Sequence, residues 1–145
     1  MTAKIISVVA TLILILLVAI FGTRGGILAT DAIGATLQVA AILLVLWARF
    51  TFGFRSFHFA ANPTQGPLVT SGPYRYVRNP IYAAAWLFIW VGAASHWSVE
   101  NAALAAAIAV MLVVRIACEE KLLRGAYPEY EEYAKRTKRL IPFVV

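Results

Sequence analysis

Four stretches of this chain are almost free of charged side chains, and their lengths suit helices that cross a membrane. The first, residues 5–21, is about 26 Å long as a helix at ~1.5 Å per residue. The second, residues 27–48, carries Asp31 and Gln38 and closes on Trp47 and Arg49-Phe50, a pattern expected at a membrane surface. The third, residues 81–95, is short. His96-Trp97-Ser98 turns the chain into the fourth, residues 99–117, so the last two are expected to form a helical hairpin. Only 14 uncharged residues separate Glu100 from Arg115. That is about 21 Å of helix against a hydrocarbon thickness of ~30 Å, which places Arg115 near or just inside the membrane edge.

Between the second and third runs the pattern breaks. Residues 49–80 contain Gly53, Pro63, Gly66, Pro67, Gly72 and Pro73 and are expected to form a loop. Loops of that length in a compact protein usually have a task. After Glu119 the pattern changes again. Leu122, Leu123, Tyr127, Tyr130 and Tyr133 alternate with Glu129, Glu131, Glu132, Lys135 and Arg136. This amphipathic segment, residues 119–145, is expected to be helical on either side of Pro128. It either rests on lipid headgroups or covers the loop as a lid.

Composition fixes the class. With 145 residues the chain is one domain, and 61% of it is hydrophobic. Its mean hydropathy of +0.78 is that of an all-α integral membrane protein. The net charge of +6 does not indicate a nucleic-acid partner, because the basic residues flank the apolar runs rather than gather on a solvated domain. With four spans, twelve of them (Lys4, Arg49, Arg55, Arg75, Arg78, Arg115, Lys121, Arg124, Lys135, Arg136, Lys138 and Arg139) fall on one side and Arg24 on the other. Such a bias puts both termini, the loop and the tail in the cytoplasm, as in a prokaryotic inner membrane. Lys4 ahead of an apolar run is also a feature of signal peptides. This run is long for one and lacks a small-x-small cleavage pattern, so a retained span is expected. Cys118 is the lone cysteine, and His58 and His96 are isolated, so neither a disulfide nor a metal site is expected. Asp31 is expected to reach the interface or to pair with Arg24.

The chemistry-bearing residues concentrate in two places. Residues 71–82 read Ser-Gly-Pro-Tyr-Arg-Tyr-Val-Arg-Asn-Pro-Ile-Tyr, and Arg115 precedes Glu119-Glu120 by one helical turn. As ordinary membrane architecture, the first is a turn, a helix start at Pro80 and an aromatic belt, and the second is an i,i+4 ion pair. Taken together they also suit a ligand that bears both charges and an aromatic base. A helix start offers backbone N–H groups to an anion, and tyrosine faces attract a sulfonium. Glutamate holds ammonium or hydroxyl groups, and arginine holds an anionic acceptor.

These residues resemble a known family. Gly72-x-Tyr74-x-x-x-Arg78-Asn79-Pro80-x-Tyr82 is similar to the membrane methyltransferase pattern G-x-Y-x-x-x-R-H-P-x-Y. Arg115-x-x-x-Glu119-Glu120-x-x-Leu123, Tyr127-Pro128-Glu129-Tyr130-x-x-Tyr133 and the ending Arg136-Thr137-Lys138-Arg139-Leu140-Ile141-Pro142 resemble its second signature. The resemblance spans residues 66–143. It is to isoprenylcysteine carboxyl methyltransferases and, more distantly, to phospholipid N-methyltransferases. It implies an S-adenosylmethionine site built without a Rossmann domain, held by Gly66, Pro67, Leu68, Val69, Tyr74, Asn79, Pro80, Ile81, Tyr82 and Glu119. It also implies that Arg115 orients a lipophilic small-molecule or lipidated acceptor, most simply an isoprenylcysteine-like carboxylate, with membrane lipids as the surrounding partners. Asn79 departs from the histidine of the best-known members, which excludes proton handling at that position. Residues 127–130 are about one residue shorter than the family's usual F-G-x-x-Y. Phospholipid N-methylation, an NADPH-dependent sterol or enone reductase and a non-catalytic membrane scaffold are the alternative readings.

Overall fold

The computed structural model describes residues 2–53 and 67–140. They form α1 (Thr2–Thr23), α2 (Ala32–Phe52), a 3-10 turn (Gly72–Arg75), α3 (Pro80–Ser95), α4 (Val99–Ala126) and α5 (Tyr130–Arg136). Among the described residues there is no strand, only an isolated parallel bridge between Val77 and Lys138. Helices α1, α2 and α4 are long and apolar enough to cross a membrane, and α3 is a shorter apolar helix. In hydrocarbon each backbone N–H and C=O must find its partner within its own segment, which leaves helix as the conformation for such runs. Ile5, Leu12, Leu16, Ile33, Leu43 and Phe50 are exposed along α1 and α2, so lipid is the solvent of those faces.

Two boundaries differ from the hydropathy pattern. The second apolar run begins at residue 27, but α2 begins at Ala32, because Asp31 is extended (φ −97°, ψ 155°) and its carboxylate accepts from Gly34 N at 2.7 Å. Ile27 and Leu28 instead belong to a linker that crosses α3. A Cβ on Gly92 would lie 2.4 Å from the Gly26 carbonyl oxygen and 2.5 Å from that of Ile27, so that crossing needs glycine. Gln38, buried in α2, ties the crossing down: its amide nitrogen donates to the carbonyls of Ile27 (2.7 Å) and Phe88 (3.1 Å), and its oxygen accepts from Ala29 N (2.9 Å). At the other end, α4 runs through Arg115, Glu119 and Glu120 to Ala126 in one helix of 28 residues. Nothing stops it at residue 117, because each of these charges finds a partner.

Helix α1 packs along α4 and α2 along α3, with α3 and α4 joined as a hairpin. Phe21, Ile89, Ala93, Ala105, Ile108 and Leu112 are the buried core of α1, α3 and α4. Ser98 caps α4 by accepting from Asn101 N at 3.0 Å. At this hairpin end Arg24 pairs with Glu100, while Asp31 accepts from Ser95 Oγ at 2.9 Å. Asp31 therefore does not take Arg24 as its partner. Its carboxyl is held below the usual range, chiefly by the Gly34 backbone hydrogen bond.

Candidate functional site

The polar residues gather at the opposite end of the bundle, in two adjoining clusters. The first lies between α1, α3 and α4. Arg115 sits one turn before Glu119, and its guanidinium has three directions filled by three helices. Nε donates to the Tyr82 hydroxyl at 3.0 Å, Nη2 to Glu119 Oε1 at 3.0 Å and Nη1 to Thr11 Oγ1 at 2.5 Å. Tyr82 in turn donates to Glu119 Oε1, and the guanidinium carbon lies 5.7 Å from the Tyr82 ring centroid. Both hydrogen bonds to Glu119 end on Oε1. Among the described residues Oε2 receives none, and a quarter of the side chain (25%) is exposed. A carboxylate oxygen open on one side can accept from hydroxyl or ammonium groups.

The second cluster is built on Glu120, whose neighbouring position turns it to another face of α4. Its side chain is 1% exposed and meets Arg78 Nε (3.2 Å), Arg139 Nη2 (3.0 Å) and Arg124 Nη2 (3.7 Å). Asn79 Nδ2 adds a 3.1 Å hydrogen bond to the same carboxylate and another of 3.2 Å to the Arg139 carbonyl. Arg78 also donates to the carbonyls of Ala134 (2.8 Å) and Thr137. Backbone bonds from Arg78 N to Lys138 O (2.7 Å) and from Lys138 N to Tyr76 O (3.3 Å) complete the join. Tyr133 donates to the Tyr74 carbonyl at 2.7 Å. The segment after α4 is therefore clasped onto the Gly72–Asn79 turn. Gly72 lets that turn form: its φ is +57°, and a Cβ there would lie 2.4 Å from Thr51 Oγ1.

Burial of the clasp is recorded in its tyrosines. Loss of solvent pushes the Tyr74 and Tyr130 hydroxyls up to about 12 and raises that of Tyr133. Free tyrosine titrates near 10. Above that pH an undocked segment releases protons that the docked one keeps, so docking is at full strength below about pH 10 and weakens as pH rises toward the folded-state values. Tyrosinate ultraviolet absorbance of the folded chain in detergent should accordingly titrate later than that of the denatured chain. A single titration at the ordinary value for both would show these hydroxyls to be in water.

Among the residues marked out in the sequence, the structure joins Tyr82, Arg115 and Glu119. It places Tyr74 against the Phe52 ring (centroids 5.7 Å apart) and under the clasp. It commits both amide hydrogens of Asn79 to Glu120 and Arg139. Pro80 is buried as the first residue of α3, Ile81, Leu68 and Val69 are half-buried and Pro67 is exposed. Gly66 lies outside the described residues, as do Arg55 and His58. Arg78, Glu120 and Arg139 stand within the motifs without an assigned role in the site, and Thr11 lies outside the motifs altogether. Thr11 had a signal: with Ser7 it supplies the only polar side chains between residues 5 and 21, one turn apart on one face.

Beside the first cluster is an apolar cavity of about 250 Å³, lined by residues from all four long helices. Ala85 lies one turn beyond Tyr82, Leu112 one turn before Arg115 and Leu14 one turn beyond Thr11, and all three line the cavity. Each of α1, α3 and α4 thus passes from polar site to apolar wall in about 5 Å.

The chain is 41% identical over 76 residues to the cobalt-zinc-cadmium resistance protein CzcN of Cupriavidus metallidurans, covering 52% of this chain and 35% of that protein. It is 37% identical over 76 residues to the nickel-cobalt-cadmium resistance protein NccN of Alcaligenes xylosoxydans xylosoxydans, covering 52% of this chain and 36% of the other. A methanethiol S-methyltransferase of Crocosphaera subtropica is 33% identical over 72 residues, covering 49% of this chain and 28% of that enzyme. The chain thus spans roughly a third of the length of these relatives. No solved structure matches it. The phospholipid methyltransferase family model matches residues 29–130, which take in α2, α3, α4, the first motif and the second as far as Tyr130, and the chain belongs to that family.

Proposed function

We propose that this chain transfers a methyl group from S-adenosylmethionine to a lipophilic acceptor at the cytoplasmic face of the membrane. One observation carries the reading: on three helices the polar residues Thr11, Tyr82 and Arg115 stand one turn from residues that line an apolar pocket, with Glu119 joined to the same cluster. An amphiphilic acceptor placed there would have its apolar body among Leu14, Ala85 and Leu112 and its reactive end at the cluster. The excess of basic residues at this end supports a cytoplasmic orientation, where soluble donors are found.

The residues present fit such a donor. Among the described residues Glu119 Oε2 receives no hydrogen bond and can accept from the donor's hydroxyl or ammonium groups, and the Tyr82 face is suited to a sulfonium. S-adenosylmethionine, when bound, supplies an electrophilic methyl group. The chain's own contribution is positioning: Arg115 fixes Glu119 and Tyr82 relative to each other, and the apolar wall keeps water from the acceptor.

On the family resemblance the acceptor is a carboxylate, which needs no general base and would lie on Arg115. A second reading is favoured by the charge balance: Arg115 is already paired with Glu119, so an incoming carboxylate would share its cation with a second anion. A neutral thiol avoids that repulsion, consistent with the relative named methanethiol S-methyltransferase. Its proton would pass to water as sulfur bonds to the methyl carbon, while the bond from that carbon to the sulfonium breaks and the donor leaves as a neutral thioether. The metal-resistance names of the other relatives supply no step, because the described residues hold no group of three metal-ligating side chains.

Titration of purified chain with S-adenosylmethionine tests the reading. Saturable binding is expected, weakened about tenfold or more in Glu119→Ala, the size of a charge-assisted hydrogen bond. Absence of saturable binding overturns it. Thermal stabilisation by NADPH instead would indicate a reductase, and stabilisation by neither a scaffold. Labelled methyl transfer to decanethiol or to S-decylcysteine then separates the two acceptor classes.

A further inference from the structure

Helix α1 lies outside the segment matched to the family, yet it reaches the centre of the site. Thr11 is buried, and its hydroxyl is used twice: it donates to the Ser7 carbonyl at 2.7 Å and accepts from Arg115 Nη1 at 2.5 Å. The donation to the preceding turn fixes the hydroxyl's rotamer, so its free lone pair faces the guanidinium. Arg115 is 12% exposed, and its other two contacts come from Tyr82 and Glu119, which belong to the matched segment. Among the described residues Thr11 makes the one hydrogen bond between this cluster and α1. It lies on the α1 face that continues as Leu14 and Val18, both in the wall of the apolar cavity.

We infer that Thr11 is a positioning residue for methyl transfer, setting the guanidinium of Arg115 against the acceptor end of the cavity. It acts through Arg115 and touches neither the donor-facing oxygen of Glu119 nor the motif residues of the loop. The inference rests on the methyltransferase reading above and adds α1 to the machinery. Without the hydroxyl, Arg115 retains its bonds to Glu119 and Tyr82 and so keeps the donor side in order. Its third arm loses its anchor, and the fork is free to turn away from the cavity. Misplacement of that kind penalises the reaction rather than donor binding.

Thr11→Val, which keeps shape and volume and removes the hydrogen bond, separates these effects. Rates are measured with labelled S-adenosylmethionine and whichever of decanethiol and S-decylcysteine the wild-type chain methylates, and donor affinity is titrated without acceptor. The expected result is a loss of about tenfold or more in kcat/KM for the acceptor, with donor affinity within about twofold of wild type. Thr11→Ser restores the rate because it restores the hydroxyl. In an Arg115→Lys background the valine substitution adds no further loss. Unchanged kcat/KM in Thr11→Val, loss of donor binding in step with rate, or failure of serine to rescue would each overturn the inference. Glu119→Ala run alongside keeps the two claims apart. If it loses donor binding while Thr11→Val behaves as wild type, the function stands and this role for α1 falls. If the wild-type chain binds no donor, both fall.

Discussion

Replacing Glu120 with alanine is expected to release the segment after α4 and to lower stability by about 3–5 kcal/mol, the cost of removing one partner from a buried ion pair. The carboxylate is almost wholly enclosed and faces Arg78, Arg139 and Arg124, with Asn79 donating to the same group. Removing it leaves the guanidinium groups of Arg78 and Arg139 without an anion, while Arg124 keeps Glu131, and their repulsion opposes the backbone join between Val77 and Lys138. Two measurements follow. Thermal unfolding in detergent should shift to lower temperature, and trypsin should cut earlier at Arg136, Lys138 and Arg139. Glu120→Gln keeps the shape and some hydrogen bonding but not the charge, so it should fall between wild type and alanine. Equal protease resistance in all three chains would show that the clasp is held by the tyrosines and the backbone alone.

The second large effect is expected at Arg115. Lysine there preserves the charge but not the fork, and this guanidinium serves three partners in three directions at once. An ammonium on a flexible stem can neutralise Glu119, yet it cannot also hold Tyr82 and Thr11 in the same geometry. Arg115→Lys should therefore lose about 100-fold in turnover while retaining most of its affinity for S-adenosylmethionine. Arg115→Ala should be worse in both respects, since Glu119 is then left part-buried without its cation. Rates with labelled donor and separate donor titrations check this. A lysine variant with wild-type turnover would reduce Arg115 to a snorkelling membrane anchor.

The architecture was largely legible because lipid-facing helices need long apolar runs, and a long apolar run has few other uses. Where the pattern misled, the cause was local and chemical. Ile27 is apolar because it packs against the core where the linker crosses Gly92, not because it is part of a helix. The last residues of α4 are charged, but their partners lie on the loop and tail, which hydropathy cannot see. Tyr82, Arg115 and Glu119 could be brought together from spacing and motif order. The clasp could not, since Arg78 and Arg139 meet over Glu120 across 61 residues of chain, and nothing local signals that pairing. Asn79 was noticed for the histidine it replaces, while its structural work is the pair of bonds that holds Glu120 and the Arg139 carbonyl.

The shortness of α3 has a consequence for where the reactants meet. Its 16 residues span about 24 Å, some 6 Å less than the hydrocarbon of an average bilayer. If its far end is held at one membrane surface by the hairpin, its first turn, which carries Tyr82, would be recessed below the headgroups of the other. A water-soluble molecule must descend into that dimple, and a lipid-borne one has only to rise partway. The length of one helix thus acts as a ruler that fixes the depth of their encounter, and the thickness of the surrounding bilayer becomes a variable of the chemistry.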